Sequence, residues 1–210
     1  MRTRKPAKWS KRLFRTGAKG NGVVLISAKL GHILDKPLEP YARRVSISPN
    51  VISLAGFAIT VLAAAVIPQH LQIGGLLILL GGLFDMLDGV VARTNGKASK
   101  FGALLDSTLD RYSDAAVFLG SAAYFHGIDH MAGAALSLGT LVGALLVSYV
   151  RARAEGLGIP CHVGLMERPE RIVLLAFGCL TGWMFPVMIS LFVLSHVTVL
   201  QRILHVSRHR

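Results

Sequence analysis

The sequence predicts an all-α integral membrane protein, with six transmembrane helices behind an N-terminal amphipathic juxtamembrane segment. Three observations carry this expectation. Hydrophobic residues make up 52% of the 210 residues and charged residues only 16%, a balance that suits lipid-facing helices better than a soluble core. Apolar stretches recur at lengths near the roughly 20 residues a helix needs to cross the hydrocarbon layer. Lysine and arginine fall on alternate connections between those stretches, which fixes a topology.

The elements follow in chain order. Residues 1–20 hold Arg2, Arg4, Lys5, Lys8, Lys11, Arg12, Arg15 and Lys19 with no acidic side chain. No apolar core of a cleaved signal follows directly. This stretch reads as a cytoplasmic arm on anionic lipid, with Trp9, Leu13 and Phe14 as its apolar contact; a solvated tail or an organellar presequence fits the composition as well. Residues 21–46 mix Val23, Leu25, Leu30, Ile33 and Leu38 with charges, as an amphipathic helix lying on the membrane would. Residues 1–47 thus form a basic arm and juxtamembrane helix, and 48–207 a single six-helix domain. Ser48-Pro49-Asn50 opens the first span, with Ser48 as N-cap and Pro49 at the first helical position. The expected spans are 48–68, 71–93, 102–125, 131–150, 172–183 and 186–204. The fifth is short unless it begins near Glu167.

The connections near 69–72, 126–130 and 182–186 contain no Lys or Arg, whereas the other side carries Arg93, Lys97, Lys100, Arg151, Arg153, Arg168, Arg171, Arg202, Arg208 and Arg210. By the positive-inside rule both termini are cytoplasmic. A net charge of +12 suits anionic headgroups or phosphorylated substrates. No nucleic-acid partner is expected, because no reading module is present and the hydropathy argues against one. Cys161 and Cys179 read as free thiols, and Cys161-His162 offers too few ligands for a metal. Gly74-Gly75, Gly81-Gly82 and the Gly139, Gly143 pair would let helices approach closely.

Chemistry concentrates between residues 85 and 110. Asp85 and Asp88 are three apart, Asp106 and Asp110 four apart, so each pair shares one face of its helix. An Asp at membrane depth costs roughly 2.5–3.5 kcal/mol on insertion scales, so four of them need a partner. Two helices facing across a short turn would converge the carboxylates on one point, and hard divalent cations are what such a cluster holds best. The other reading is a structural carboxylate network with Arg93 and Arg111.

The spacing D-x2-D-G-x2-A-R-x8-G-x3-D-x3-D resembles the signature of the CDP-alcohol phosphotransferases, with Asp85, Asp88, Gly89, Ala92, Arg93, Gly102, Asp106 and Asp110 at its specified positions. The resemblance implies attack of a hydroxyl on the β-phosphorus of a CDP-linked lipid, with CMP departing. It implies two divalent cations, Mg²⁺ (or Mn²⁺): Asp85, Asp88 and Asp106 hold one, and Asp85, Asp106 and Asp110 the other. Asp110 would be the general base. Gly89 and Ala92 would leave room for cytidine, and Arg93 offers the pyrophosphate a planar fork of donors. Ser99 and Ser48, Pro49, Asn50 and Val51 match positions that touch the CDP-lipid; Ser48 also reads as a cap alone. A homodimer is implied, in a prokaryotic cell membrane with a cytoplasmic active site.

For the acceptor, Arg151, Arg153, Arg168, Arg171 and Arg202 gather at cytoplasmic helix ends. Topology alone would place cations there, but all five are Arg, two adjoin a Glu and Arg153 lies two residues from one, as for side chains oriented toward a phosphate. These segments, with Asp110-Arg111 and Asp114, look like the phosphatidylinositol-phosphate synthases, whose donor is CDP-diacylglycerol and whose acceptor, a phosphorylated polyol, is inositol 1-phosphate. The usual lysine is Arg151 here. The alternative is phosphatidylglycerol-phosphate synthesis from glycerol 3-phosphate, whose enzymes tend to carry a lysine where this chain has Arg111. A membrane cation transporter is the reading from another class, but it would not need Gly89, Ala92 and Arg93 at these spacings.

Overall fold

The computed structural model describes residues 47–208. The basic arm and the amphipathic segment of 1–46 lie outside the described residues. Six helices follow: α1 Pro49–Val66, α2 Leu71–Thr94, α3 Lys100–Gly127, α4 Met131–Gly156, α5 Arg168–Thr181 and α6 Met184–Ser207. Of these, α1, α2, α4 and α6 are long and apolar enough to cross a membrane by length and composition. The third is 28 residues long but carries Asp106, Asp110, Arg111 and Asp114 within its first 15 residues. The fifth has 14 residues. It starts at Arg168, directly after Glu167, where the short span of the sequence reading needed it to start.

The ends follow local chemistry. Pro49 sits in the first turn of α1, where its missing N–H costs nothing. Ser48 occupies the N-cap position, but its side chain makes no capping bond. Ser99 does cap α3, its hydroxyl oxygen accepting from the Gly102 amide at 2.9 Å. Gly182, at φ 77°, ends α5 in the left-handed conformation that L side chains avoid.

The principal helix contacts join α1 to α2, α2 to α5, α5 to α6, α6 to α4, α4 to α3 and α3 back to α1. The six helices therefore close a ring, and chain order differs from ring order. Ile67, Ile78, Phe118, Phe125, Leu175, Met188 and Leu191 fill its interior. The glycines of the sequence reading are used inside this ring. A Cβ on Gly75 would lie 2.8 Å from that of Cys179 on α5, and one on Gly143 would lie 3.0 Å from that of Ser195 on α6. Those close approaches are α2–α5 and α4–α6 packing.

Candidate active site

Both aspartate pairs lie at the same end of the ring, on the last turns of α2 and the first turns of α3. Oxygens of Asp85, Asp88 and Asp106 all lie within 4.8 Å of one another, so three of the four carboxylates expected to converge are grouped. Asp88 is the most buried of the three, at 4% exposure. The Ser53 hydroxyl of α1 donates to its Oδ2. Sequence reasoning missed Ser53. It lies one turn after Pro49 on the α1 face that packs toward α2, but a serine in an apolar span carries no signal of its own.

Asp110, one turn beyond Asp106, belongs to a different set of contacts. Its Oδ1 lies 2.8 Å from Arg168 Nη1, which also bonds Asp85. Arg111 approaches Asp110 at 3.7 Å. Asp110 Oδ1 is nevertheless buried without a hydrogen-bond partner among the described residues: the guanidinium is near it but not aligned on its lone pairs. Buried carboxylate oxygens left with free lone pairs, beside three more carboxylates and no sulfur donor, fit a hard divalent cation.

Two clefts flank the aspartates. The first, about 580 Å³, is lined by Pro49, Asn50, Ser53, Asp88, Gly89, Ala92, Arg93, Lys97, Ala98, Ser99, Gly102, Ala103 and Asp106. Six of the eight predicted CDP-lipid positions are in this wall: Pro49, Asn50, Gly89, Ala92, Arg93 and Ser99. Ser48 and Val51 are exposed and are not among its lining residues. The small residues have a packing reason. A Cβ on Gly89 would sit 3.1 Å from Arg93 Nη1, and one on Gly102 would sit 3.0 Å from Ser99 Oγ and 3.2 Å from Asn50 Oδ1. Bulk at either position would push against the groups that shape the cleft.

The second cleft, about 530 Å³, is lined by Asp110, Arg111, Val147, Ser148, Arg151, Glu167, Arg168, Pro169, Arg171 and Arg202. Four of the five predicted acceptor arginines meet here. Arg171 is 2% exposed. Its Nη2 donates to Asp114 Oδ2 at 2.6 Å, while its Nε and Nη1 are buried with no hydrogen-bond partner among the described residues. Arg202 is equally buried but each of its nitrogens has a partner, Nε in Val163 O at 2.8 Å, Nη1 in Val147 O at 2.6 Å and Nη2 in Glu167 at 3.1 Å, which leaves one N–H on each Nη. Glu167 also receives Arg151 Nη1 at 3.5 Å, and Arg151 pairs with Glu155 at 3.0 Å. Glu167 stands at the N-cap position of α5 without capping it; its carboxylate faces the arginines instead.

Arg153 is not in this cluster. It is exposed and lines a separate apolar groove with Tyr149, Leu157 and Ile203. The fourth span was expected to end at residue 150, with Arg151 and Arg153 together at its cytoplasmic end. The helix continues to Gly156, and two residues along a helix turn the side chain about 200°, to the opposite face from Arg151.

Comparison with known proteins identifies the family and the fold. The family pattern described as CDP-alcohol phosphatidyltransferase matches residues 46–206. The archaetidylinositol phosphate synthase of Methanothermobacter thermautotrophicus is 37% identical over 181 residues, spanning 83% of this chain and 90% of its own length. The phosphatidylinositol phosphate synthase of Mycobacteroides abscessus is 36% identical over 190 residues, spanning 85% of this chain and 86% of its own. The crystal structure of the Mycobacterium tuberculosis phosphatidylinositol phosphate synthase with CDP-DAG bound superposes with a TM-score of 0.73 at 32% identity, covering 82% of this chain and 92% of that one. Its complex with manganese and citrate gives a TM-score of 0.70 at 32% identity, covering 82% and 88%. Helices, aspartate spacing, cleft and sequence relatives all agree: this chain is an integral membrane enzyme and belongs to the CDP-alcohol phosphatidyltransferase family.

Proposed function

We propose that this chain transfers the phosphatidyl group of CDP-diacylglycerol to inositol 1-phosphate and releases CMP. One observation carries the choice of acceptor. The cleft that holds Asp110 is walled by Arg151, Arg168, Arg171 and Arg202, and two nitrogens of the buried Arg171 have no partner there. A guanidinium with unused donors in a dry site is matched by a phosphate. A neutral alcohol would leave that charge without a counter-ion. The names of the Methanothermobacter and Mycobacteroides relatives support the same acceptor.

In this reading the CDP-lipid lies in the first cleft, its pyrophosphate toward Arg93 and its cytidine against Gly89 and Ala92. The acceptor lies in the second, phosphate toward Arg171, Arg202 and Arg151, hydroxyl toward Asp110. Asp110 accepts the hydroxyl proton as the oxygen bonds to the β-phosphorus, and the P–O–P bond breaks with its electron pair leaving on CMP. Two divalent cations, Mg²⁺ or Mn²⁺, would be held by Asp85, Asp88 and Asp106 and by Asp85, Asp106 and Asp110. When bound they supply charge neutralisation on both sides of the displacement. A manganese complex of a structural neighbour supports use of a divalent metal.

The aspartate end of the ring faces the cytoplasm of a prokaryotic cell in this proposal, since Arg93, Lys97, Lys100 and the cleft arginines gather there. The basic arm of residues 1–47 is an appendage to the catalytic domain of 48–207, and the family resemblance favours a homodimer. An archaetidyl donor is the second reading for the lipid, favoured by the Methanothermobacter relative. The test is CMP release by purified protein with CDP-diacylglycerol or CDP-archaeol, offered inositol 1-phosphate, glycerol 3-phosphate or free inositol. Inositol 1-phosphate should be the fastest acceptor. Faster turnover with glycerol 3-phosphate would transfer the assignment to phosphatidylglycerol-phosphate synthesis.

A further inference from the structure

Arg168 stands between the arginine-walled cleft and the motif aspartates. It is the first residue of α5, its side chain is 16% exposed, and it lines the arginine-walled cleft. Its Nη1 bonds Asp85 of α2 and lies 2.8 Å from Asp110 Oδ1 of α3, while its Nε is 3.7 Å from Asp114 Oδ1. It therefore touches two carboxylates of the proposed Asp85, Asp106 and Asp110 set. None of its ion pairs is with Asp88 or Asp106.

The Arg168–Asp110 contact is an ion pair without an aligned hydrogen bond. Asp110 Oδ1 and Arg168 Nε are both buried without a hydrogen-bond partner among the described residues. The ion pair thus leaves Asp110 Oδ1 without an aligned donor, while Arg168 spends Nη1 on Asp85 and keeps Nε without a hydrogen bond. A divalent cation would satisfy the oxygen, and a phosphate in the cleft would satisfy the nitrogen. A guanidinium and a dication on the same carboxylate oxygens repel one another, and strongly so in a poorly solvated site.

We propose that Arg168 competes with the cation held by Asp85, Asp106 and Asp110, and that a phosphate monoester in the arginine-walled cleft relieves this competition by drawing Arg168 to itself. The proposal rests on the two-cation, phosphate-acceptor reading above. It makes Arg168 a positioning residue that couples acceptor binding to metal loading. Acceptor and second cation bind with positive coupling, and linkage requires each to tighten the other by the same factor. The cation held by Asp85, Asp88 and Asp106 is coupled less, because Arg168 bonds only one of its three carboxylates and acts on Asp106 from beyond ion-pair distance. The chemistry is thereby armed when the acceptor has arrived.

The test uses the full chain in nanodiscs without any CDP-lipid, so that no turnover occurs. Mn²⁺ binding is followed by the electron paramagnetic resonance signal of the free ion, with no anion, with inositol 1-phosphate, with inorganic phosphate or with free inositol. The weaker class of Mn²⁺ sites should tighten about tenfold with inositol 1-phosphate, a factor usual for coupled sites, and should not respond to free inositol. In Arg168→Gln that class should be tight without any anion, and the anion response should disappear. A wild-type Mn²⁺ isotherm unmoved by inositol 1-phosphate, at concentrations that calorimetry shows to saturate the protein, would overturn the proposal. So would weaker Mn²⁺ binding in folded Arg168→Gln. The wild-type arms decide the matter even where the variant does not fold. If inositol 1-phosphate does not bind but inorganic phosphate produces the shift, the acceptor assignment fails and the coupling stands.

Discussion

Replacing Arg171 by glutamine separates a phosphate pocket from a merely basic surface. Arg171 is 2% exposed, gives Nη2 to Asp114 at 2.6 Å, and keeps Nε and Nη1 unpartnered. A charge-assisted hydrogen bond contributes about 1.5–3 kcal/mol, and each 1.4 kcal/mol is a factor of ten, so losing a single bond to phosphate raises the acceptor KM about ten- to a hundredfold. The donor cleft has Arg93 in its wall and not Arg171, so the KM for CDP-diacylglycerol should stay close to the wild-type value. A structural cost accompanies the change, because breaking a buried ion pair costs about 3–5 kcal/mol. Asp114 keeps Arg168 at 3.7 Å, which places the loss toward the lower end of that range. Pairing the change with Asp114→Asn removes the orphaned charge, so the double variant should regain thermal stability while the acceptor KM stays high. The assay is CMP release at varied inositol 1-phosphate and then at varied CDP-lipid. A folded Arg171→Gln with wild-type acceptor KM, or with both KM values raised equally, would refute the reasoning.

Four further outcomes follow from the site. Asp110→Asn should lower kcat by about 10²–10⁴, as removal of a general base does, while CDP-lipid binding measured by calorimetry persists; turnover at the wild-type rate would reassign the base. Asp106→Asn should abolish turnover in a protein that still inserts and purifies, since Asp106 belongs to both proposed cation sets; measurable activity in excess chelator would argue against metal dependence altogether. Ser53→Ala removes the hydroxyl that orients Asp88 and should raise the Mg²⁺ concentration for half-maximal activity about tenfold or more, as loss of a ligand's hydrogen-bond partner does; an unchanged Mg²⁺ curve would show that Asp88 needs no such support. Arg153→Ala should leave the acceptor KM unchanged because its side chain is in another groove, and a large rise would return Arg153 to the phosphate pocket.

The motif was legible because its chemistry is local: aspartates three and four apart must share a helix face, and α2 and α3 bring the two faces together. The six-helix count was legible from apolar length and from the position of Lys and Arg, whereas α5 starts at Arg168 and not at the expected 172, because its first turn is polar and carries no apolar signal. What escaped depended on phase or on distant packing. Arg151 and Arg153 are neighbours in sequence and lie on opposite faces once α4 extends through them. Ser48 fills the cap position without capping, whereas Ser99 caps in fact. Ser53 reaches Asp88 across 35 positions of sequence, a pairing that no local pattern encodes. The glycine pairs announced close helix contacts but not which ones, and α2–α5 and α4–α6 packing accounts for Gly75 and Gly143.

The order of helices around the ring also bears on biogenesis. α1, α2 and α3 emerge first and carry every one of the four motif aspartates, whereas the arginine that bonds Asp85 begins α5, 83 positions later. A nascent chain therefore brings its carboxylates to the membrane before that counter-charge is made. The early and late halves of the ring meet at two contacts, α3 with α4 and α2 with α5, and only the second brings Arg168 to the aspartates, so the cluster takes its final form in that late docking step. Assembly intermediates that end before α5 would hold the aspartates without Arg168, Arg171 or Glu167, and such chains are bundles with an open side rather than slow enzymes.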